Sequence, residues 1–535
     1  GCTSLGICGK TPETAALQDA MLHVLKGIAQ RAHRARQTGG ADTALDDLVL
    51  EALFMTLTNV NFDADEHVAY LERAMRLAWD RADTLYWVHA PHRAIAEPIA
   101  WPKAKTAEDW IAVGRAASIP ARAALQGNQD IVSLQEMLTY GVKGLAAYAH
   151  HATLLGYRDP AIAAFVLEAL DAMTEPEQSV DRLLGLCLRA GEANWRTMEL
   201  LDRAHTETYG HPVPTEAAIT PVAGKCILVS GHDMRSLHEL LKQTEGTGIQ
   251  VYTHGEMLPA HGYPGLKRFA HLAGNFGGAW QEQVKEFATF PGPIVMTTNC
   301  LKPPSSAYRN RLFTMDVVGW DGIPKIRDYD FSPVIASALR EPGFAETAER
   351  KAITVGFGHN AVLGVADKIV DAVKAGQIRH FFLVGGCDGA EYARNYFTDF
   401  AEGAPEDTVV LTLGCGKYRF NRHDFGTVAG LPRLLDLGQC NDAYSAVKIA
   451  GALAEAFGCG INDLPLSLVI SWFEQKAVAV LLTLLHLGVK DIRLGPQLPA
   501  FVSPNVLKRL VDTYGLKPVG NAQEDLRTIL QPVAA

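Results

Sequence analysis

The sequence lacks an excess of positive charge and a long uninterrupted hydrophobic run. Its 535 residues include 49 Lys and Arg against 59 Asp and Glu, a formal net charge of −10. This balance disfavours nucleic acid and anionic membranes as main partners. The apolar run at 477–487 is too short to span a bilayer and predicts a buried helix, and no signal peptide is recognisable. We therefore expect a cytoplasmic protein without a nucleic-acid or membrane partner.

The sequence also lacks the even, closely spaced cysteine set of a disulfide framework. Its nine cysteines are scattered: Cys2, Cys8, Cys187, Cys226, Cys300, Cys387, Cys415, Cys440 and Cys459. An odd, scattered set in a long chain indicates metal-ligand thiolates or buried free thiols in a reducing compartment. Cys2 and Cys8 precede the first predicted helix. They are either free thiols or two of the four thiolates that an iron–sulfur cluster takes.

Strand-like alternation is nearly absent up to about residue 210. Thr11-Pro12-Glu13 has the features of a helix start: a cap residue, a proline in the first turn and an acid near the positive end of the helix dipole. Helical spacing of apolar residues follows, and it recurs at 44–59, 64–88, 107–126, 130–155, 160–173 and 179–205. The pattern predicts a helical-bundle domain over residues 1–215.

Beyond a proline-rich break at 209–221, short apolar strands alternate with helical segments. This alternation is typical of α/β layers with parallel sheets. The length also predicts about three domains. With a softer break at Glu341-Pro342-Gly343, the sequence predicts two Rossmann-like α/β domains over residues 216–348 and 349–535. A strand at Ala352–Val355 is expected to open the third domain, and its last strand is expected at Asp491–Leu494.

Seven of these predicted strands lead to a residue that can bind a metal. The residues are His232, Glu256, Cys300, Cys387, Cys415, Cys440 and Glu474. A lone strand-end Cys is more often a small buried hydrophobe, but ligands collect at the carboxyl ends of parallel strands, and seven candidates together rarely arise by chance. Thiolates favour iron–sulfur chemistry, whereas carboxylate and imidazole favour harder, oxygen-bridged iron. The set therefore predicts a mixed cluster with some iron–oxygen character.

Other residues of the same types fit structural roles better. Cys187 lies in a helical pattern, Cys226 begins its strand, and Cys459 lies in a loop after a helix. We interpret the first two as structural and the third as a free thiol. The pair His150-His151 fits a core or surface position on a helix, with one member facing the metal site as the alternative.

A glycine motif after the strand at 352–355 matches a dinucleotide-binding fingerprint. It reads Gly356-Phe357-Gly358-His359-Asn360-Ala361. A nicotinamide site would also need an acid at the end of the next strand, and that strand ends in Gly386-Cys387 instead. The glycines are better explained by tight packing of a helix against a strand.

Several short motifs occur together along essentially the whole chain. They are Gly1–Lys10, Ser230–Asp233, Thr253–Met257, Thr297–Cys300, Gly386–Gly389, Gly414–Arg419, Gly438–Asp442 and Trp472–Lys476. As a set they resemble the hybrid cluster protein family, also called hydroxylamine reductase. The resemblance implies a helical N-terminal domain and two α/β domains. It also implies a cubane iron–sulfur cluster near the surface and a buried hybrid 4Fe-2O-2S cluster.

The resemblance implies roles for individual residues. All seven strand-end residues match hybrid-cluster ligands. Cys387 matches a cysteine that can carry an extra sulfur as a persulfide, and Lys476 matches a lysine beside the cluster. Cys2 and Cys8 match the last two cysteines of the N-terminal cluster motif, whose first two, a Cys-x-x-Cys just upstream, are not in the sequence. Their spacing resembles the 4Fe–4S subgroup more than the 2Fe–2S one.

The implied activity is reduction of hydroxylamine to ammonia and water. Glu474 would shift as the cluster changes redox state, Lys476 would donate a proton or stabilise charge, and Cys387 would complete the catalytic set. Electrons would come from a redox-protein donor through the N-terminal cluster. The family is also tied to nitrosative stress, through reduction of nitric oxide to nitrous oxide and through protein S-nitrosylation.

Two alternatives stay open. One is an enzyme like carbon monoxide dehydrogenase, with a nickel–iron–sulfur cluster, which the two glutamates disfavour. The other is a nitric oxide sensor or nitrosylating partner whose cluster does not turn over.

Overall fold

The computed structural model describes Gly6 and residues 8–531. Its N-terminal part is helical, as the sequence predicts. The helices are α1 (Pro12–Arg36), α2 (Thr43–Met55), α3 (Ala64–Leu77), α4 (Thr84–His89), α5 (Ala107–Ala117), α6 (Ile119–Gln126), α7 (Gln129–Leu154), α8 (Pro160–Ala172) and α9 (Val180–Tyr209), with a π-helical segment at Ala78–Asp83 between α3 and α4.

The start of α1 follows the signals in its sequence. The Thr11 side chain accepts a hydrogen bond from the amide of Thr14, Pro12 occupies the first turn, and Glu13 lies near the positive end of the helix dipole. The helix buries its apolar residues, among them Leu17 and Met21, in the core that joins the helices. In the described residues, no helix is long and apolar enough to cross a membrane.

The first large sheet is parallel and is covered by helices on both faces. Its strands are β2 (Cys226–Ser230), β3 (Gln250–His254), β4 (Leu272–Asn275), β5 (Ile294–Met296), β6 (Leu312–Met315) and β7 (Lys325–Ile326), after a separate short strand β1 (Thr215–Ala218). The helices between them are α10 (Met234–Thr244), α11 (Pro264–Lys267) and α12 (Gln283–Thr289), and α13 (Ser332–Arg340) follows β7. The strand order β4-β3-β2-β5-β6-β7 is Rossmann-like, with its switch point between β2 and β5.

The second large sheet repeats this order. Its strands are β9 (His380–Gly386), β10 (Thr408–Thr412), β13 (Leu434–Asp436), β14 (Leu466–Ser471), β15 (Arg493–Gly495) and β16 (Lys517–Pro518). The strands β11 (Thr427–Val428) and β12 (Leu431–Pro432), of two residues each, form a separate antiparallel hairpin. The helices are α14 (His359–Leu363), α15 (Ala366–Lys374), α16 (Asn395–Glu402), α17 (Ala443–Phe457), α18 (Gln475–His486), α19 (Pro504–Tyr514) and α20 (Ala522–Leu530). The order β13-β10-β9-β14-β15-β16 places the switch point between β9 and β14.

Together these sheets confirm the predicted fold class, but two strand expectations differ. The strand β8 (Ala352–Val355) does not join the second large sheet; it pairs antiparallel with β1. Its residues alternate between buried and less buried, which suits a ribbon with one covered face rather than a sheet covered on both faces. The last strand is also not at 491–494, because β15 is followed by the edge strand β16. The division into domains at 215 and 348 stays a prediction.

Helix α18, which follows β14 of the second sheet, packs against α7 and α9 of the helical part. A Cβ on Gly191 of α9 would lie 2.1 Å from the Leu482 carbonyl oxygen, and one on Gly144 of α7 would lie 2.6 Å from the Gln475 carbonyl oxygen. Glycine at these positions lets the backbones of α7 and α9 touch that of α18. The residue just before α18 is Glu474, so this packing determines where that carboxylate lies.

Candidate metal centre

All seven candidate ligands lie beyond the carboxyl ends of strands, as predicted. In the first sheet, β2, β3 and β5 lead to His232, Glu256 and Cys300; in the second, β9, β10, β13 and β14 lead to Cys387, Cys415, Cys440 and Glu474. Each sheet has a candidate ligand after both strands at its switch point, where α/β folds bind ligands.

Glycines let the strand ends of the second sheet crowd together. Gly386 has φ +109°, and a Cβ there would lie 2.2 Å from the Ser471 carbonyl oxygen. Gly414 has φ +71°, and a Cβ there would lie 2.6 Å from the Gly386 carbonyl oxygen. Both positions need glycine for conformation and for space. The close approach brings the turns that carry Cys387 and Cys415 side by side.

Three candidate ligands from the two sheets meet directly. Ligand atoms of His232, Glu256 and Cys440 all lie within 4.8 Å of one another. His232 Nε2 is 3.6 Å from Glu256 Oε2, and the Cys440 amide donates a hydrogen bond to the same oxygen at 2.8 Å. These three side chains are buried, so they can share a single metal atom away from solvent.

The other three thiols lie around the same point. The Cys415 thiol hydrogen-bonds that of Cys300, and this bond together with burial raises the pKa of Cys415 well above its ordinary value. Burial, together with the nearby Glu474 carboxylate, raises the pKa of Cys387 to about 12. Trp280 and Phe473 pack their rings together at 4.7 Å beside Cys300 and Cys415.

Glu474 caps α18 and holds Lys476 in the site. Its Oε2 accepts a hydrogen bond from the Lys476 amide at 3.0 Å, and its Oε1 lies 3.6 Å from Lys476 Nζ. That Nζ also lies 3.1 Å from His232 Nε2 and donates to Asn299 Oδ1 at 3.0 Å. Burial lowers the pKa of Lys476, but the surrounding thiolates and carboxylates outweigh burial and raise it above its ordinary value.

The donor set fits an iron–sulfur–oxygen cluster. Burial raises the pKa of Glu256, of Glu474 and of the Cys387, Cys415 and Cys440 thiols, so these groups need nearby positive charge to ionise. Burial lowers the pKa of His232 well below its ordinary value, which leaves a neutral imidazole with a lone pair for a metal. Glu256 Oε1 is buried without a hydrogen-bond partner in the described part of the chain. Bound iron would satisfy all three conditions.

The N-terminal cysteines are only partly described. Cys8 is a buried free thiol, and Cys2 lies outside the described residues. Cys8 lines a cavity of about 1100 Å³ whose wall also includes Phe473 and Gln475. Since these two residues flank Glu474, the cavity extends from Cys8 to the neighbours of one candidate ligand.

The cysteines interpreted as structural or as a free thiol lie in elements other than the turns that carry the candidate ligands. Cys187 is buried and points its Sγ at the Leu134 carbonyl oxygen, 3.6 Å away. Cys226 is buried at the start of β2, and Cys459 follows α17. His150 pairs with Asp316 at 2.7 Å. His151, however, stacks on His232 with ring centroids 6.2 Å apart, which is the alternative that the sequence left open.

Sequence reasoning did not single out some residues that lie at the site. The Tyr148 hydroxyl of α7 donates to Cys440 Sγ at 3.2 Å. Gln439 Nε2 donates to the carbonyl oxygens of His232 and Glu256, at 3.0 and 2.8 Å. Tyr148 lies in a helix that is buried on nearly every side, so periodicity could not single it out. Gln439 and Asn299 stand beside candidate cysteines in the motifs, and that adjacency was the available signal.

The glycine motif after β8 serves packing. A Cβ on Gly356 would lie 2.1 Å from the Val213 carbonyl oxygen, and one on Gly358 would lie 2.8 Å from Pro212 Cγ. Both glycines therefore accommodate the segment that follows α9. This contact accounts for the motif without a dinucleotide.

Known proteins resemble this chain over its full length. The sequence model of the prismane/CO dehydrogenase family matches residues 1–527 of this chain. Proteins named hydroxylamine reductase from Burkholderia ambifaria and Rhodospirillum rubrum are 56% and 55% identical; the alignments cover 100% and 98% of this chain and 97% and 96% of those proteins. Carbon monoxide dehydrogenase IV from Carboxydothermus hydrogenoformans shares the fold, with TM-score 0.58 and 15% identity over 99% of this chain and 89% of that one. The chain belongs to the prismane/CO dehydrogenase family.

Proposed function

We propose that this chain is an iron–sulfur oxidoreductase that reduces hydroxylamine to ammonia and water at a buried hybrid 4Fe-2O-2S cluster. The observation that carries the proposal is the meeting of imidazole, carboxylate and thiol groups from two sheets around one buried point, with an ammonium group among them. The proposed ligands are His232, Glu256, Cys300, Cys387, Cys415, Cys440 and Glu474. The names of the Burkholderia and Rhodospirillum relatives support the substrate.

The reaction breaks the N–O bond of hydroxylamine with two electrons and two protons and gives ammonia and water. When bound, the cluster would supply the electrons and an iron with an exchangeable coordination position. The Lys476 ammonium lies among the ligands, fixed by Asn299 and His232. We assign it the proton donated to the departing oxygen, which then leaves as water rather than as hydroxide.

Glu474 and Cys387 complete the proposed catalytic set. Glu474 has a second partner in the Lys476 ammonium, 3.6 Å from Oε1, so its carboxylate can shift between a metal and that ammonium without being left unpaired. Cys387 ends the central strand β9 and lines a cavity, which leaves room beside its sulfur for the extra atom of a persulfide.

Electron supply is assigned to the N-terminal site. Cys2 and Cys8 would bind two corners of a 4Fe–4S cluster, and two further thiolates would complete it. The cavity that Cys8, Phe473 and Gln475 line supports this assignment, because Phe473 and Gln475 flank the proposed ligand Glu474. A redox protein would deliver electrons there from solution.

A second cavity favours nitric oxide as another substrate. It has a volume of about 380 Å³ and is lined by Cys387, Cys440 and mostly apolar side chains such as Leu383 and Leu411. Such a wall suits a small neutral gas better than polar hydroxylamine. Two molecules of nitric oxide, two electrons and two protons would give nitrous oxide and water. A chain that binds nitric oxide without turnover would instead be a sensor or nitrosylating partner.

The fold neighbours make a dehydrogenase-like reading the main competitor. Carbon monoxide dehydrogenases share the architecture, and a solved acetyl-CoA synthase/carbon monoxide dehydrogenase among them contains NiZn[Fe4S4] and NiNi[Fe4S4] clusters. The two buried glutamates argue for iron with oxygen ligands instead. Metal analysis and EPR spectroscopy on anaerobically purified protein separate the two. We expect about eight irons per chain, no nickel and a high-spin signal distinct from a cubane. Stoichiometric nickel or cubane signals alone would contradict the proposal.

Turnover is tested with reduced viologen as electron donor. We expect hydroxylamine-dependent viologen oxidation with ammonia formed in equal amount to hydroxylamine consumed. Glu474→Gln keeps the size of the side chain and removes its charge, so it should lose both the hybrid-cluster spectrum and turnover. A variant with full spectrum and full turnover would remove Glu474 from the ligand set. Binding of nitric oxide without turnover of either substrate would favour the sensor.

A further inference from the structure

Buried polar atoms without partners form a line that begins at the candidate metal centre. Within the described residues, both ring nitrogens of His151, Nδ1 of His205, the Tyr209 hydroxyl and Nε2 of His238 are buried and make no hydrogen bond to the protein. We call His151, His205, Tyr209 and His238 the polar file. It plays no part in the ligand set proposed above.

The polar file has an inner and an outer end. The His151 ring stacks on that of His232, 6.2 Å away and tilted by 19°. His205 lies close enough to His151 that a charge on His205 would lower the pKa of His151. Tyr209 follows His205 by one turn of α9. The Tyr209 ring meets the ring of half-buried His238 edge-on at 5.4 Å.

Leaving these atoms unpaired is costly. A buried polar group without a partner costs about 1–3 kcal/mol, and such groups in native proteins are nearly always satisfied by protein or by ordered water. His151, His205 and Tyr209 are each no more than 4% exposed. Several unpaired atoms on neighbouring side chains therefore indicate bound water between them, because each water can serve two to four polar partners.

We propose that the polar file binds a chain of water molecules and delivers solvent protons to the metal centre. The proposal rests on the proposed function, since reduction of hydroxylamine consumes two protons for every N–O bond broken, and six of the seven proposed ligands are buried. Each proton enters at His238 and passes along hydrogen bonds through Tyr209, His205 and His151. The electrons arrive by a separate route, from the redox-protein donor.

The side chains suit this task. Burial lowers the pKa of His205 to about 4, so its imidazole is neutral, and both ring nitrogens of His151 are free of protein partners in the described residues. A neutral imidazole accepts a proton on one nitrogen and releases one from the other. The Tyr209 hydroxyl likewise both accepts and donates. The file can therefore pass protons without holding a stable charge in the interior.

The first test uses Tyr209→Phe and His205→Phe in the cluster-loaded protein. Because the removed atoms have no protein partner, either change should leave iron content and EPR spectra as in the wild type. With viologen in excess we expect kcat to fall by about tenfold or more, KM to stay constant, and the solvent deuterium isotope effect on kcat to rise. A structural role alone would not change the isotope effect.

His271→Phe is the matched control. Burial also lowers the pKa of His271, but its Nε2 bonds Thr244 Oγ1 at 2.9 Å, and it lies just before β4, at the end of the first sheet opposite the proposed ligands. We expect its kcat and isotope effect to match the wild type. Wild-type kcat and isotope effect in both polar-file variants would overturn the proposal. A wild type without hydroxylamine turnover would instead overturn the proposed function.

A second test does not depend on turnover. A high-resolution crystal structure of the loaded protein should contain ordered waters within hydrogen-bond distance of His205 Nδ1, the Tyr209 hydroxyl and a His151 nitrogen. Tyr209→Phe should lose the water at its own position. A polar file without water in the wild type would overturn the proposal whatever the kinetics show.

Discussion

The amide of Cys440 donates a hydrogen bond to Glu256 Oε2 at 2.8 Å, and this bond joins the end of β13 in one sheet to the turn after β3 in the other. Gln439 adds two bonds across the same boundary, to the carbonyl oxygens of His232 and Glu256. The two sheets are thus fixed against each other by the residues beside the proposed ligands. These bonds therefore hold the turns that carry three of the proposed ligands close together.

Glu256 is the residue whose loss should separate metal binding from folding. Glu256→Gln keeps the volume and an oxygen that can accept from the Cys440 amide, but removes the charge that a bound iron would neutralise. We expect the protein to fold, to retain its N-terminal cluster and to lose the high-spin signal of the hybrid cluster. Iron content and EPR spectra after anaerobic purification check this.

Glu245→Gln is the control for this substitution. Glu245 is exposed at the C-terminal end of α10, the end away from His232. Its variant should have wild-type iron content and spectra. An intact hybrid-cluster signal in Glu256→Gln would show that this carboxylate is not a ligand.

Lys476 should matter to turnover more than to substrate affinity. Lys476→Met keeps the apolar length of the side chain and removes the ammonium that lies beside Glu474, His232 and Asn299. We expect kcat for hydroxylamine to fall by about 100-fold or more, in the range typical of a lost general acid. Steady-state kinetics measure this, with Lys368→Met as the exposed control. An unchanged kcat would exclude Lys476 as proton donor.

The His150–Asp316 pair predicts a pH window of extra stability. Burial lowers the pKa of His150, but Asp316 outweighs burial and raises it to about 9. This stabilisation is complete below the unfolded His pKa of about 6.5 and is lost as pH rises through about 9. Burial raises the pKa of Asp316, but His150 outweighs burial and lowers it overall. The stabilisation that comes from the Asp316 carboxylate is therefore present above about pH 4 and is lost as the pH falls further.

Asp316→Asn tests this window. Asn tolerates the positive φ of +49° at this position, so the backbone should stay in place. We expect a loss of about 3 kcal/mol between pH 4 and 6.5, as for a broken buried ion pair, and a difference that shrinks toward pH 9. Urea unfolding midpoints across this range measure it. A difference that stays constant to pH 10 would contradict the linkage.

The sequence carried most of the information about the ligands and little about their surroundings. Each ligand follows an apolar strand, and the ends of parallel strands share one edge, so His232 or Cys387 could be placed without coordinates. Tyr148 and His151 could not, because their helix is buried on nearly all sides and lacks a distinct inner face. Their roles depend on how α7 packs against the sheets, which is a long-range property.

The sheet to which a strand belongs was likewise not predictable from local sequence alone. β8 has the composition of a sheet strand, but it pairs with β1 more than a hundred residues earlier in the chain. Local pattern determines that a segment is extended, whereas its partner depends on which edges remain open after the large sheets form. The edge strand β16 has two exposed residues and no apolar pattern. Periodicity alone could not reveal it.

The contact between α9 and α18 predicts that a single methyl group can disturb the metal site from a distance. A Cβ at Gly191 would lie 2.1 Å from the Leu482 carbonyl oxygen, so Gly191→Ala must push α18 away and move Glu474 at its start. We expect a loss of about 2 kcal/mol in unfolding free energy, typical of overpacking, and a weaker hybrid-cluster signal.

Gly185 provides the control on the same helix. A Cβ there meets nothing within 4 Å, and Ala has a higher helix propensity than Gly by about 1 kcal/mol. Gly185→Ala should therefore be neutral or stabilising, with a wild-type spectrum. If helix propensity governed both positions, both variants would be stabilised alike. Stability and EPR measurements on the two proteins together decide whether backbone contact between α9 and α18 positions the Glu474 carboxylate.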